Sequence, residues 1–158
     1  MANETTLPVS LAAERRYLTS IFIDLIGYTP LSEQLDPEDL RLLQRRYQNL
    51  ALTVMERFGG FVSQFQGDGI VVYFGYPIAH ENDAERAIRA SLEFLHRLRN
   101  LDTKIRDGTD VPLAARIGMN TGLVLIGPEL VSSGVAEFSA VGEAVILAAR
   151  LQDEAPTG

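Results

Sequence analysis

Cysteine is absent from this chain of 158 residues, which excludes disulfides, thiolate zinc sites and a cysteine nucleophile. No apolar run is long enough to span a bilayer. Residues 1 to 14 (MANETTLPVSLAAE) also lack the basic start and apolar core of a signal peptide, so a cytoplasmic location and no membrane segment are expected. Positive charge is scarce: 14 Lys and Arg stand against 21 Asp and Glu, for a formal charge of −7. That balance argues against a nucleic-acid partner, and the small basic groups at Arg45, Arg46 and at Arg97, Arg99, Lys104 are explained by solvated helix faces. Any phosphate handled here is expected to be small and accompanied by a metal. The two histidines, His80 and His96, are too far apart in sequence and context to indicate a metal site.

What is present is ordinary for a soluble domain: 46% apolar and 22% charged residues, in a length suited to one domain with a core. Residues 1 to 14 read as a flexible tail, and "YLTSIFIDL" from Tyr17 as a buried strand with Asp24 near its end. Asp36 and Pro37 open a helix in which Leu40, Leu43, Tyr47, Leu50, Val54 and Phe58 recur at steps of three and four, as core or as dimer surface. Residues 61–66 and 70–74 form a hairpin about Gly67, Asp68 and Gly69. A second helix starts at Asn82 or Asp83 and places Ala84, Ile88, Ser91, Leu95 and Leu98 on one face. "LAARIGMNTGLVLIG" reads as two strands about a Thr-Gly turn, "PELVSSGVAEF" as a loop, and "EAVILAARLQDE" as a helix stopped by Pro156. Strand, helix, hairpin, helix, hairpin, helix predicts an α+β, ferredoxin-like (βαββαβ) sandwich with helices packed on an antiparallel sheet.

In that topology the first strand lies beside the hairpin, which brings Asp24 and Asp68 to one sheet edge. An Asp between glycines is also what a tight turn wants for backbone reasons alone, so turn chemistry and ligation both remain open at this point. Two neighbouring carboxylates repel unless protonated or bridged by a cation, and Mg²⁺ typically takes one or two protein carboxylates and fills its shell with water and phosphate. "LIGYTP" is either a phosphate cradle or an ordinary strand-to-helix loop.

Four stretches, "TSIFIDLIGYTPLSEQLDPEDL", "GGFVSQFQGDGIVVYFGYPIAHENDAERAIRASL", "ARIGMNTGLVLIG" and "AVGEAVILAARLQ", occur in order and near the spacing of the catalytic domain of class III adenylate and guanylate cyclases. The chain resembles that family, in its bacterial soluble type, over residues 15 to 158. The resemblance implies that Asp24 and Asp68, with the Leu25 carbonyl, hold two Mg²⁺ or Mn²⁺ ions. It implies that Gly27, Tyr28 and Thr29 wrap the β- and γ-phosphates, and that Arg116 contacts phosphate, its alternative being a strand-end salt bridge. Attack of the ribose 3′-hydroxyl on the α-phosphorus would give a cyclic monophosphate and pyrophosphate. The family's site is split between two chains, implying a homodimer in which Arg150 stabilises charge on the partner's α-phosphate. Regulation by fused domains in a longer chain is likewise implied.

Three departures accompany the match. Ile146 stands where the family carries a ribose-orienting asparagine, four residues before Arg150. Gln64 and Ser139 occupy the purine-reading positions, where each can donate and accept and neither selects one purine; the reading leans to ATP over GTP. The family's last strands, with a triphosphate-binding lysine, are not found before Gly158. A catalytically silent cyclase homology domain, dimerising or binding nucleotide as a regulatory module, is the alternative. A diguanylate cyclase is set aside because "QGDGI" lacks that family's adjacent acidic pair.

Overall fold

The computed structural model describes residues 13–130 and 136–156. Its elements in order are β1 (Glu14–Leu25), α1 (Tyr28–Gln34), α2 (Pro37–Arg57), β2 (Phe61–Gln66), β3 (Gly69–Phe74), α3 (Asp83–Arg99), β4 (Ala115–Leu130), β5 (Ala136–Val141) and α4 (Glu143–Glu154). Up to residue 12, the expected tail lies outside the described residues.

β1 earns its central place from its composition, apolar and β-branched from Leu18 to Leu25, which suits a strand covered on both faces. The sheet runs β2-β3-β1-β4-β5, antiparallel throughout, and its first four strands follow the expected ferredoxin-like order. One face of the sheet takes α2 and α3, burying Ile21, Ile23, Tyr47, Val54, Met55 and Phe94 in the main core. A smaller cluster of Leu18, Tyr73, Val124, Ile126, Ala140 and Ala144 lies on the other face, where α4 packs.

Where the sequence predicts a Thr-Gly turn, β4 is one unbroken strand of 16 residues, paired with β1 from Glu14↔Ile126 to Leu25↔Ala115. Its Thr121 hydroxyl shares a hydrogen bond of 2.7 Å with the Thr19 hydroxyl across the strands. The glycines of β4 serve helix packing instead. A Cβ on Gly122 would stand 2.7 Å from the Ala144 Cβ, and one on Gly118 would overlap the Ala148 carbonyl and the Gln152 backbone. Ala144, Ala148 and Gln152, four residues apart on α4, are accordingly buried against this strip.

Other expectations shift by less. The expected loop over residues 128–138 is partly strand, since β4 runs to Leu130 and β5 begins at Ala136. The Leu40–Phe58 stripe is core, with Leu43, Tyr47 and Val54 buried. On α3 the buried face is Ala87, Ala90, Ser91, Phe94 and Leu98, whereas Ile88 is half exposed. Small alanines let this helix approach its neighbours, and Phe94 fills the space by meeting Tyr47 edge-on at 5.9 Å.

The connection from α3 to β4 is tied to α2. Arg106 donates from its backbone and its Nε to Asp39 Oδ1 (3.2 and 2.8 Å), and that bond holds the Asp39 carboxyl below its ordinary range. Arg46 donates to the carbonyls of Asp102 and Lys104. At the far edges β2 and β5 meet: the Ser63 hydroxyl donates to the Phe138 carbonyl, and Phe61, Tyr76 and Phe138 form a ring cluster. The sheet is therefore curled.

Because the Gly118 contact is with helix backbone, a side chain there has nowhere to go. Gly118→Ala should lower stability in urea by about 1–3 kcal/mol, the usual range for overpacking, with the loss appearing in the unfolding midpoint.

Candidate active site

The end of β1 and the turn between β2 and β3 meet as the topology requires. Gly67 holds a left-handed φ of 60°, a conformation that glycine adopts without strain, and this directs the next residue back over β1. The Leu25 amide donates to Asp68 Oδ2 at 3.0 Å, so Asp68 is drawn to the residue following Asp24. Asp24 pairs in register with Arg116, whose Nε lies 3.8 Å from Asp24 Oδ1. That is too long for a hydrogen bond, and both atoms are buried without one.

Asp24 is consequently a poorly satisfied carboxylate. Burial raises its pKa above the ordinary value most strongly; the Gln152 side chain and Arg116 pull it down, while the charges of Asp68 and Asp153 push it up again. Gln152 comes from the buried face of α4, yet its Nε2 makes no hydrogen bond of good geometry. Arg116 is held from the same helix, donating to the Asp153 carbonyl at 3.2 Å.

The segment after β1 is the start of α1, with Gly27 at its cap in a left-handed conformation. The Tyr28 ring lies 3.9 Å from the place a Gly67 side chain would take, so Tyr28 adjoins the Asp68 turn, with Gly27 and Thr29 as its neighbours in the chain. Gln64 lies on β2 and Ser139 on β5, each next to the Ser63–Phe138 bond that joins the two strands. Ile146 and Arg150 stand one turn apart on the exposed side of α4, away from the face that reaches Asp24. Asp24, Leu25, Asp68, Arg116 and the 27–29 segment thus come together within one chain, while Arg150 and Ile146 face outward.

The family model for the adenylate and guanylate cyclase catalytic domain matches residues 12–158. The chain belongs to this family. Adenylate cyclase 1 of Rhizobium meliloti is 30% identical over 144 residues, covering 89% of this chain and 21% of that protein. The cytidylate cyclase of Staphylococcus aureus is 27% identical over 148 residues, covering 91% of this chain and 35% of that protein. The chain therefore spans between about a fifth and a third of the length of these relatives. Among solved structures, the guanylyl cyclase Cya2 superposes with a TM-score of 0.85 at 32% identity, covering 92% of this chain and 73% of that one. The adenylyl cyclase CyaB from P. aeruginosa gives 0.85 at 31%, covering 93% and 76%. The curled five-stranded antiparallel sheet with its four helices is the cyclase catalytic fold.

Among the described residues, no group of three or more His, Cys, Asp and Glu side chains is placed to hold a metal, so a cation here has two carboxylates to use. The donor set nevertheless fits a Mg²⁺-like ion, which asks for few protein oxygens, and Asp24, whose buried Oδ1 has no hydrogen bond and only a distant Arg116, is a carboxylate incompletely balanced within the chain. Sequence reasoning did not reach Gln152. Its signal is a polar residue in phase with Ala144 and Ala148 on a face otherwise made of small apolar residues.

A carboxyl whose pKa is raised on folding binds its proton more tightly in the native state, so stability falls as pH climbs from the unfolded value through the raised one. The Asp24→Asn variant has no such charge to bury. In chelator-treated protein the difference in melting temperature, Asp24→Asn minus wild type, should rise from pH 4 to pH 7, and a difference that falls over that range would contradict the assignment.

Proposed function

We propose that residues 15 to 158 form the catalytic domain of a purine nucleotide cyclase acting on ATP, or less readily GTP, within a homodimer and a longer, regulated protein. The observation that carries this reading is the meeting of Asp68 with the end of β1 beside an Asp24 oxygen that has no hydrogen-bond partner. Asp24 and Asp68, with the Leu25 carbonyl, would hold two Mg²⁺ or Mn²⁺ ions. When bound, such ions make the ribose 3′-hydroxyl more acidic and offset the charge of the triphosphate. Gly27, Tyr28 and Thr29 follow directly in the chain and would line the β- and γ-phosphates. Arg116 balances Asp24 and is a cation available to a phosphate oxygen at the same place. The reaction balances without a co-reactant: the 3′-oxygen bonds to the α-phosphorus, pyrophosphate leaves, and the hydroxyl proton passes to solvent.

Support for the homodimer comes from two exposed apolar groups. Ile146, Leu147 and Leu151 accompany Arg150 on the outer side of α4. Tyr17 with Leu123, and Leu125 with Val141, are register pairs that share one sheet face beyond the reach of α2 and α3. Arg150 is thus on a surface suited to a partner, where it would meet the partner's α-phosphate. Gln64 and Ser139 would read the base, and the names of the relatives span adenylate, guanylyl and cytidylate cyclases.

The purified chain incubated with Mn²⁺ and ATP or GTP should yield the cyclic monophosphate, and Asp68→Asn should reduce the rate by about a hundredfold or more, as charge stabilisation worth several kcal/mol is lost. An unaffected rate would sink the two-metal assignment.

The silent, dimerising module is favoured by one observation, the half-exposed Ile146 where an amide would orient ribose. Ile146→Asn should raise turnover by about tenfold or more if orientation is what is missing. A variant that binds nucleotide as wild type does and makes no product would favour the module.

A further inference from the structure

Two bonds reach the Gly67–Asp68 turn from α2, and neither belongs to the site residues assigned above. Tyr47 is fully buried, yet its hydroxyl donates to the Asp68 carbonyl at 2.9 Å. Gln44, three residues earlier on the same helix, donates through Nε2 to the Gly67 carbonyl at 2.7 Å. With the Leu25 amide on the carboxylate, the turn is held at three points, two on its backbone and one on its side chain. A phenylalanine at position 47 would fill the core and meet Phe94 equally well. The hydroxyl is therefore the informative group, because a buried Tyr O–H needs a partner and its partner here is the residue carrying the carboxylate. The helix offering these bonds is itself fixed through Asp39 to Arg106 and through Arg46 to the carbonyls of Asp102 and Lys104.

We propose that α2 clamps the metal-binding turn, with Tyr47 and Gln44 as positioning residues that set the Asp68 carboxylate against Asp24 for cation binding. The inference rests on the two-metal reading of Asp24 and Asp68. Losing the hydroxyl leaves the Asp68 carbonyl short of its donor, lets the turn sample other arrangements, and lowers the fraction of chains ready to bind.

The test is Mn²⁺ binding to the 158-residue chain, read from the paramagnetic resonance of free Mn²⁺, for wild type, Tyr47→Phe, Gln44→Ala and Asp68→Asn, with thermal melts alongside. Tyr47→Phe should stay folded and bind Mn²⁺ about tenfold more weakly, and Gln44→Ala about threefold more weakly, as expected for one lost hydrogen bond each. In turnover, the metal requirement of Tyr47→Phe should rise by the same factor while its KM for nucleotide holds. A folded Tyr47→Phe with wild-type Mn²⁺ affinity overturns the clamp. If that variant melts below the assay temperature, Gln44→Ala, at a half-buried position, decides, and unchanged affinity there overturns it too. Failure of wild type to bind Mn²⁺, or wild-type affinity in Asp68→Asn, overturns the two-metal reading itself.

Discussion

Twelve consecutive residue pairs join β1 to β4, and five more join its other edge to β3. A strand bonded along both edges cannot slip by one residue without turning its apolar set out of the core, so its register is strongly fixed. The site depends on that fixity. Asp24 is opposite Arg116 because of the β4 pairing, and Asp68 reaches the Leu25 amide because the β3 pairing brings its turn to the same end. A slip of one residue on either side would move Asp24 to the opposite face and leave Asp68 with no strand end to meet.

Much of this was legible in the chain. The apolar run into Asp24, the Asp-Pro start of α2 and the Gly-Asp-Gly turn are local signals with local causes, and each led to the observed element. The errors came where tertiary contact gave a residue its meaning. Gly122 resembles a turn glycine in isolation, but its lack of a side chain is required by Ala144, some twenty residues later. On α3 the larger Ile88 drew the predicted face toward itself; Ser91 and Leu98 are buried as expected, but the remaining buried positions are Ala87, Ala90 and Phe94. Tyr47 looked like any member of an apolar stripe, because periodicity reports burial and says nothing of what a buried hydroxyl touches. The paired carboxylates were foreseeable from topology; the part of α4 in their surroundings was not.

Helix α4 has two separate duties. Its inner face is small and close, with Gln152 and the Asp153 carbonyl reaching Asp24 and Arg116 of the same chain. Its outer face carries Ile146, Leu147, Arg150 and Leu151 into solvent. In the proposed dimer one rigid segment would touch two active centres, its own from behind and the partner's from in front. The metal end and the transition-state end of the chemistry would then share a single mechanical support.

The curl that joins β2 to β5 has a consequence for how copies of this chain can associate. An open sheet leaves two ladders of unpaired backbone groups, which invite strand-by-strand growth. Here the two outer strands lean on one another through Ser63, Phe138 and the aromatic cluster, with Arg16 resting over Tyr76. Lateral addition is obstructed, and the apolar surface left for contact is made of side chains on a helix and a sheet face. Growth by adding strand to strand is therefore discouraged, and association between copies is left to those side-chain surfaces.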